Sequence, residues 1–182
     1  MNYTRTPISA ALPVTLADAK DYARVTHSAE DLVFARLIKA AALEIEQYTD
    51  LALITQTITA TTDTDPGFII ALPVGPVAAG ATVTVYRIEA DGSATLIPSG
   101  YWLEAGRYAC LHFTTDTTPA GPLRITYPAG YGASDASVPV DLSHAICDHV
   151  LRMYVQRGDD DVKQGLSPAS ARIAARYRKV SV

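Results

Sequence analysis

Residues 28–50 read SAEDLVFARLIKAAALEIEQYTD, and their pattern decides the helical part of the fold. Ser28 is a candidate N-cap, and the carboxylates of Glu30 and Asp31 fall where the positive end of a helix dipole favours negative charge. Apolar residues then recur every three or four positions, which is the spacing of an amphipathic helix. The stretch therefore predicts one long helix over residues 29–50.

The long helix carries two apolar stripes, which lie side by side on its surface. One stripe is formed by Leu32, Ala35, Ile38, Ala42 and Ile45. The other is formed by Phe34, Leu37, Ala41 and Tyr48. An apolar stripe on a helix is normally buried against another element. The two stripes therefore predict two packing partners for this helix.

Helical patterns also flank the long helix on both sides. An extended N-terminal arm leads into a short predicted helix over 15–25, which a threonine caps. Beyond the middle of the chain, a broad apolar face predicts a helix over 140–156 that packs on the long one. A polar linker follows, and a last helix is expected from Ser167 or Pro168 to Tyr177.

Residues 53–130 have the texture of short strands, because β-branched runs alternate with Pro, Gly, Asp and Ser. Asp91 and Gly92 are a hairpin signal. Six strands are expected, at 56–62, 68–72, 82–88, 101–105, 110–113 and 123–127. The order of elements predicts an α+β fold, mainly a helical bundle of N-terminal and C-terminal helices with an inserted antiparallel β unit. Residues 1–157 are expected to form one domain, and 158–182 a linker and C-terminal tail.

The composition limits the classes of protein that this chain can represent. With 48% hydrophobic and 19% charged residues and a net charge of -4, it is neither a disordered chain nor a generally basic nucleic-acid binder. Cys110 and Cys147 stand far apart without a CxxC pattern, which favours a reducing compartment. No run approaches the roughly 18 apolar residues of a membrane span. We expect a soluble protein that is made in the cytoplasm and has no membrane partner.

Two groups of residues have the spacing of a reactive site. His144, Cys147 and Asp148 could share one helix face, and Cys110 and His112 one strand face. Packing explains both groups better, because neither HExxH, GxSxG nor a phosphate-binding glycine motif occurs. The acidic run Asp159–Asp161 fits a solvated linker better than a cation site. The sequence therefore predicts no catalytic residue, metal or cofactor.

The C-terminal tail is basic although the whole chain is acidic. Beyond Asp161 the chain has no Asp or Glu, and its cations are Lys163, Arg172, Arg176, Arg178 and Lys179. Such a segment contacts DNA phosphates, contacts an acidic protein surface, or is simply a solvated helix. An apolar edge formed by Ile173, Tyr177 and Val180 favours a protein groove among these alternatives.

Taken together, these segments resemble the phage head-tail connector, or adaptor, proteins, over nearly the whole chain. The resemblance rests on several short motifs, namely VTLADAK at 14–20, Arg24 with Val25, IEQYT at 45–49, YPAGYG at 127–132, VP at 138–139, AI at 145–146, Tyr154 with Arg157, and RIAARYR at 172–178. Homologous rings occur in gene transfer agents.

The resemblance implies a structural protein of the virion neck that is not an enzyme. Such a protein forms a ring of about twelve subunits under the portal, extends the DNA channel and joins the capsid vertex to the stopper or tail. By the family pattern the C-terminal segment grips the portal, with Arg172, Arg176, Tyr177 and Arg178 as anchors. The stripe of Phe34, Leu37, Ala41 and Tyr48 would face the neighbouring subunit. DNA would pass without sequence-specific binding, since the body of the protein is negative.

Three other functions remain open from sequence. A stopper or tail-terminator ring protein of the same neck would also lack catalysis, although those proteins are mostly β. A small DNA-binding module would use the basic tail and show salt-dependent affinity. A small enzyme would depend on Cys110, Cys147 or His144.

Overall fold

A computed structural model describes residues 1–62, 67–114, 121–157 and 165–179. The chain forms two units. The β unit contains residues 1–9 and 55–131, and the helical unit contains residues 10–54 and 132–182. Each unit is therefore assembled from two separate segments of the chain.

Four α-helices make up the described part of the helical unit. They are α1 (Leu16–Tyr22), α2 (Asp31–Thr49), α3 (Val140–Val155) and α4 (Pro168–Ala175). The side chain of Thr15 accepts a hydrogen bond from the Asp18 N–H at 3.0 Å and so caps α1, as its sequence predicts. Helix α2 begins later than Ser28 would place it, and it ends where Asp50 adopts a left-handed conformation, with φ of 56°. None of the helices in the described ranges is long and apolar enough to span a membrane.

Helix α2 has one broad buried face rather than two separate stripes. The buried residues are Phe34, Ile38, Ala41, Ala42, Ile45 and Thr49. All but Thr49 come from the two predicted stripes, which lie side by side on the helix and are covered by the same neighbouring helices. Leu32, which the sequence placed in the core stripe, is 77% exposed. Helices α1, α3 and α4 all contact α2, and α3 provides most of its cover.

The described part of the β unit contains eight strands in two antiparallel sheets. The strands are β1 (Asn2–Pro7), β2 (Gln56–Thr61), β3 (Ile69–Ala71), β4 (Thr84–Ile88), β5 (Ala94–Ile97), β6 (Tyr101–Glu104), β7 (Cys110–Phe113) and β8 (Leu123–Ala129). One sheet has the order β1-β2-β8-β4-β5, and the other has the order β3-β7-β6. Strand β8 alternates buried and accessible residues, so Leu123, Ile125 and Tyr127 fill the core of this unit.

The α+β class is confirmed, but the prediction of a mainly helical bundle is wrong. Helices account for 33% of the residues and strands for 27%, so neither kind of element dominates. Part of the difference comes from the N-terminal arm, which is an edge strand and pairs from Asn2 opposite Thr61 to Pro7 opposite Gln56. The β unit is therefore completed by the N-terminus and is not a simple insertion over 53–130.

Candidate functional site

The basic C-terminal segment forms helix α4, which is docked on α3 in this structure. The side chain of Ser167 caps α4 by accepting a hydrogen bond from the Ser170 N–H at 3.1 Å. Ile173 and Ala174 are buried on the side that faces the helical unit. The predicted helix from Ser167 or Pro168 is thus confirmed at its start, and Tyr177 lies two residues beyond its end.

A polar junction centred on Asp148 holds the start of α4. The Ser167 hydroxyl donates a short hydrogen bond to Oδ2 of Asp148, and the Ser170 hydroxyl lies 3.2 Å from the same oxygen. Ser170 also donates to the backbone carbonyl of Ala145 at 2.7 Å, although its side chain is completely buried. The Tyr22 hydroxyl donates to Oδ1 of Asp148 at 3.3 Å. One carboxylate of α3 therefore joins α4 and α1.

His149 adds a second connection beside this junction. Its ring is only 3% exposed, its Nε2 lies 3.0 Å from a carboxylate oxygen of Glu44, and its Nδ1 accepts the Ser167 N–H at 3.3 Å. Because Nδ1 is an acceptor, Nε2 carries the proton and donates to Glu44. The buried imidazole thereby links α2 to Ser167, the N-cap of α4.

Three of the four predicted portal-contacting residues are engaged with their own chain. Asp141 accepts hydrogen bonds from Arg176 at 3.1 Å and from the Tyr177 hydroxyl at 2.7 Å. The guanidinium of Arg178 lies 5.5 Å from the centre of the Tyr48 ring. Arg172 is exposed. The structure thus brings Arg176 and Tyr177 together, and holds Arg178 through a separate contact.

The four residues predicted to face a neighbouring subunit differ in their accessibility. Phe34 and Ala41 have no exposed surface, and the Phe34 ring packs on Tyr154 at 4.7 Å between centroids. Leu37 is partly buried, and Tyr48 is 36% exposed beneath Arg178. Phe34 and Ala41 therefore serve the core of the helical unit, and only Leu37 and Tyr48 can still meet another chain from this docked state.

A second cluster joins the end of α3 to the start of α2. The Tyr154 hydroxyl donates a short hydrogen bond to Glu30, and Arg157 reaches the other oxygen of that carboxylate at 3.1 Å. The hydrogen bond from Tyr154, followed by that from Arg157, holds the pKa of Glu30 below its usual value. The same hydrogen bond raises the pKa of Tyr154. Glu30 is thus kept ionised, and it ties together two helix ends that are distant in sequence.

The residues considered for chemistry occupy packing roles in the structure. Burial raises the pKa of the Cys147 thiol to about 11, so this cysteine is a poor nucleophile. His112 stacks on Trp102 at 4.0 Å between centroids and lies 2.8 Å from Glu104, whereas the Cys110 thiol faces the Tyr108 carbonyl. Across the described ranges, no group of three or more His, Cys, Asp or Glu side chains is arranged to hold a metal ion.

Similarity to solved structures covers the whole chain. A chain in the neck of the empty gene transfer agent particle, computed with C6 symmetry, is 26% identical and superposes with a TM-score of 0.84 over 100% of this chain and 97% of its own length. The native neck computed with C12 symmetry gives 26% identity and a TM-score of 0.81, and the native gene transfer agent virion gives 25% and 0.80, with the same coverage of both chains. The fold is that of a virion neck protein. The chain matches no protein-family model and no curated protein sequence.

The neck fold supports a structural role in a phage-like virion. The related necks were solved with sixfold and twelvefold symmetry, which supports a ring assembly for chains of this fold. Sequence reasoning had missed the residues that dock α4, above all Asp141 and Asp148. The available signal was the Ser-Pro pair at the start of a helix, which indicates where α4 begins but not which carboxylates it contacts.

Proposed function

We propose that the chain is the adaptor of a phage-like virion neck. Its subunits form a ring under the portal, extend the DNA channel and join the capsid vertex to the stopper or tail. The observation that carries this proposal is the full-length match to neck chains, because it includes both units and leaves no part of this chain for another fold. The role is structural, and it requires no cofactor.

We further propose that residues 158–182 act as a linker and portal-binding tail, as the basic composition predicts. Support comes from the way in which α4 is held. At its C-terminal end, Arg176 and Tyr177 both contact the carboxylate of Asp141, and the side chain of Arg176 is 63% exposed. Exposed ion pairs contribute little to stability, typically below about 1 kcal/mol. An acidic groove on the portal can therefore replace Asp141 as the partner of these side chains.

The charge of the chain suits a channel through which DNA slides. The net charge is -4, and each phosphate that a protein neutralises with Lys or Arg strengthens its binding to the duplex. The cations of the tail are directed to a protein partner in this proposal and not to DNA. Sequence-specific DNA binding is therefore no part of the function.

A stopper of the same neck is the second candidate, and one observation favours it. Stoppers are mostly β proteins, and the described part of this chain contains eight strands, more than its sequence predicted. The helical unit nevertheless carries the basic tail, which has an evident use on a portal above the ring. The adaptor remains the better explanation because it gives that tail a partner.

Binding to the portal tests the proposal directly. Full-length protein and a truncation ending at Arg157 are mixed with assembled portal, and complexes are recovered by pull-down and imaged by electron microscopy. We expect ring density on the portal with the full-length chain and none with the truncation. A full-length chain that fails to bind assembled portal, yet binds an adaptor ring, would identify a stopper instead.

Truncation also removes the packing of α4 on the helical unit. A variant that keeps α4 but changes its charge is therefore the matched comparison. Arg172→Glu with Arg178→Glu reverses two exposed cations; it gives up the contact of Arg178 with the Tyr48 ring but leaves the contacts of Asp141 and Asp148 in place. An exposed cation–π contact contributes only about 0.5–1 kcal/mol, so we expect this variant to lower the unfolding midpoint slightly but to lose portal binding at moderate salt. Unchanged binding would remove these two arginines from the portal interface.

A further inference from the structure

The helical unit contains a cleft to which the proposed function assigns no role. It lies between α1, the short 3-10 helix Asp135–Ser137 and the first turns of α3, and its volume is about 430 Å³. Buried apolar side chains form its floor, among them Val14, Val138 and Cys147. Val140, on its border, is 85% exposed. The cleft therefore offers apolar surface that the described part of the chain leaves open.

Carboxylates surround the cleft. Asp18, Asp21 and Asp135 line it, and neither Lys nor Arg is among its lining residues. Asp18 accepts a hydrogen bond from the Thr15 hydroxyl at 2.7 Å. Within the described ranges, the carboxylates of Asp21 and Asp135 form no ion pair. The apolar floor thus has an uncompensated negative rim.

The outer face of α2 has the opposite character. Leu32, Arg36, Lys39 and Leu43 are four, three and four residues apart, so they form one line on the helix surface. All four are exposed, Leu32 by 77% and Leu43 by 50%. Among the residues that the structure describes, Arg36 and Lys39 have no acidic partner. Two leucines and two cations without an acidic partner therefore share a face that no described residue covers.

We propose that this face of α2 docks in the acidic cleft of the neighbouring copy of the same chain, as the subunit contact of the ring. Leu32 and Leu43 cover the apolar floor, while Arg36 and Lys39 meet the carboxylates of its rim. This inference rests on the proposed ring assembly and names its interface. It moves the predicted contact from the partly buried Leu37 and Tyr48 to the outer face of the same helix.

The identity of the occupant follows from the arrangement of the two surfaces. The cleft and the helix face use different residues of one chain, and each lacks the charge that the other carries. Contact between two different patches of identical chains is heterologous, and when its rotation closes it generates a ring rather than a twofold dimer. The sixfold and twelvefold symmetry of the related necks is of that kind. A second copy therefore fits the cleft better than an unrelated peptide.

Two charge-reversal variants of the full-length chain test the contact. The first is Arg36→Glu with Lys39→Glu, and the second is Asp21→Lys with Asp135→Lys. Each variant alone places like charges across every contact, so we expect neither to form rings at a concentration at which the wild type does. In an equimolar mixture every contact between unlike variants is again complementary, so we expect rings of alternating subunits. Mass photometry and negative-stain electron microscopy, with and without portal, give the readout.

The outcomes separate this inference from the proposed function. If the wild type forms rings and either variant alone does so equally well, the ring stands and the interface proposed here is wrong. If both variants lose rings and the mixture does not restore them, charge pairing between these surfaces is also refuted. A wild type that forms no ring, even on the portal, overturns both the function and the interface. If the Asp21→Lys, Asp135→Lys variant forms intact rings but no longer binds the portal, the interface proposed here is wrong and the cleft binds the portal instead.

Discussion

Replacing Asp148 with alanine should release helix α4 from the helical unit without unfolding the rest of the chain. The carboxylate accepts the hydroxyl hydrogen of Ser167, and it lies near the hydroxyls of Ser170 and Tyr22. Ser170 has the carbonyl of Ala145 as an alternative acceptor, and the bond from Tyr22 is long. The substitution therefore removes one strong charge-assisted hydrogen bond and two weaker contacts.

The expected size of the effect follows from that one strong bond. Hydrogen bonds to charged groups contribute about 1.5–3 kcal/mol, and a value of about 2 kcal/mol suits a partly buried site. This corresponds to roughly a thirty-fold increase in the undocked population, since about 1.4 kcal/mol changes an equilibrium tenfold. Helix α4 has only 8 residues, too few to remain helical in isolation, so undocking should also unfold it.

Amide hydrogen exchange measures this change locally. We expect the protected amides of α4 to exchange about thirty-fold faster in Asp148→Ala, while the amides of β8 in the β unit keep their wild-type rates. Asp141→Ala is the matched control, because it removes the partly exposed contacts of Arg176 and Tyr177, together with a bond from the Leu142 N–H within α3, and should accelerate exchange in α4 less than tenfold. Equal rates in α4 of the wild type and Asp148→Ala, or equal acceleration in β8, would refute the assigned role of Asp148.

Three further predictions concern stability. Phe34→Ala should lower the free energy of unfolding by about 3–5 kcal/mol in denaturant titration, because the ring is fully buried, whereas Leu43→Ala at a half-exposed site should cost less than about 1.5 kcal/mol. Tyr127→Phe should cost about 1–3 kcal/mol, since the phenol hydrogen-bonds both the N–H and the carbonyl of Val74, and an unchanged midpoint would show that these bonds are dispensable. Glu30 has a lowered pKa, so its stabilising contribution is present above its ordinary pKa of 4.5 and is lost as the pH falls through the folded-state value. The difference in unfolding free energy between wild type and Glu30→Gln should therefore shrink from pH 6 to pH 3, and a constant difference would contradict this assignment.

The positions of the long helices could be predicted because amphipathic periodicity is strong in both. The stretch over 29–50 yields α2 at Asp31–Thr49, and the stretch over 140–156 yields α3 at Val140–Val155. Which of the two stripes on α2 would be buried could not be predicted. That choice depends on how α1, α3 and α4 pack around the helix, and periodicity carries no information about the neighbours.

The first strand and the docking of the tail were harder to predict for related reasons. The strand Asn2–Pro7 is almost entirely exposed, so it shows no alternation of apolar and polar residues, and it acquires its structure only by pairing with β2. The bonds from Ser167 and Tyr177 to Asp148 and Asp141 join polar residues that are distant in sequence. Hydrophobic patterns do not encode such pairs.

The route of the chain between the two units also constrains how the protein can be made. Residues 1–9 belong to the β unit, 10–54 leave it for the helical unit, 55–131 return, and 132–182 leave again. During synthesis, β1 and β2 can join a sheet only after β8 has been made, and α2 can pack only after α3 has been made. Neither unit can therefore complete its fold until most of the chain has emerged from the ribosome. Folds whose contacts join residues distant in sequence typically fold slowly. Ribosome-bound chains from which residues 1–131 have just emerged should therefore show a protease-resistant sheet while α2 is still cleaved.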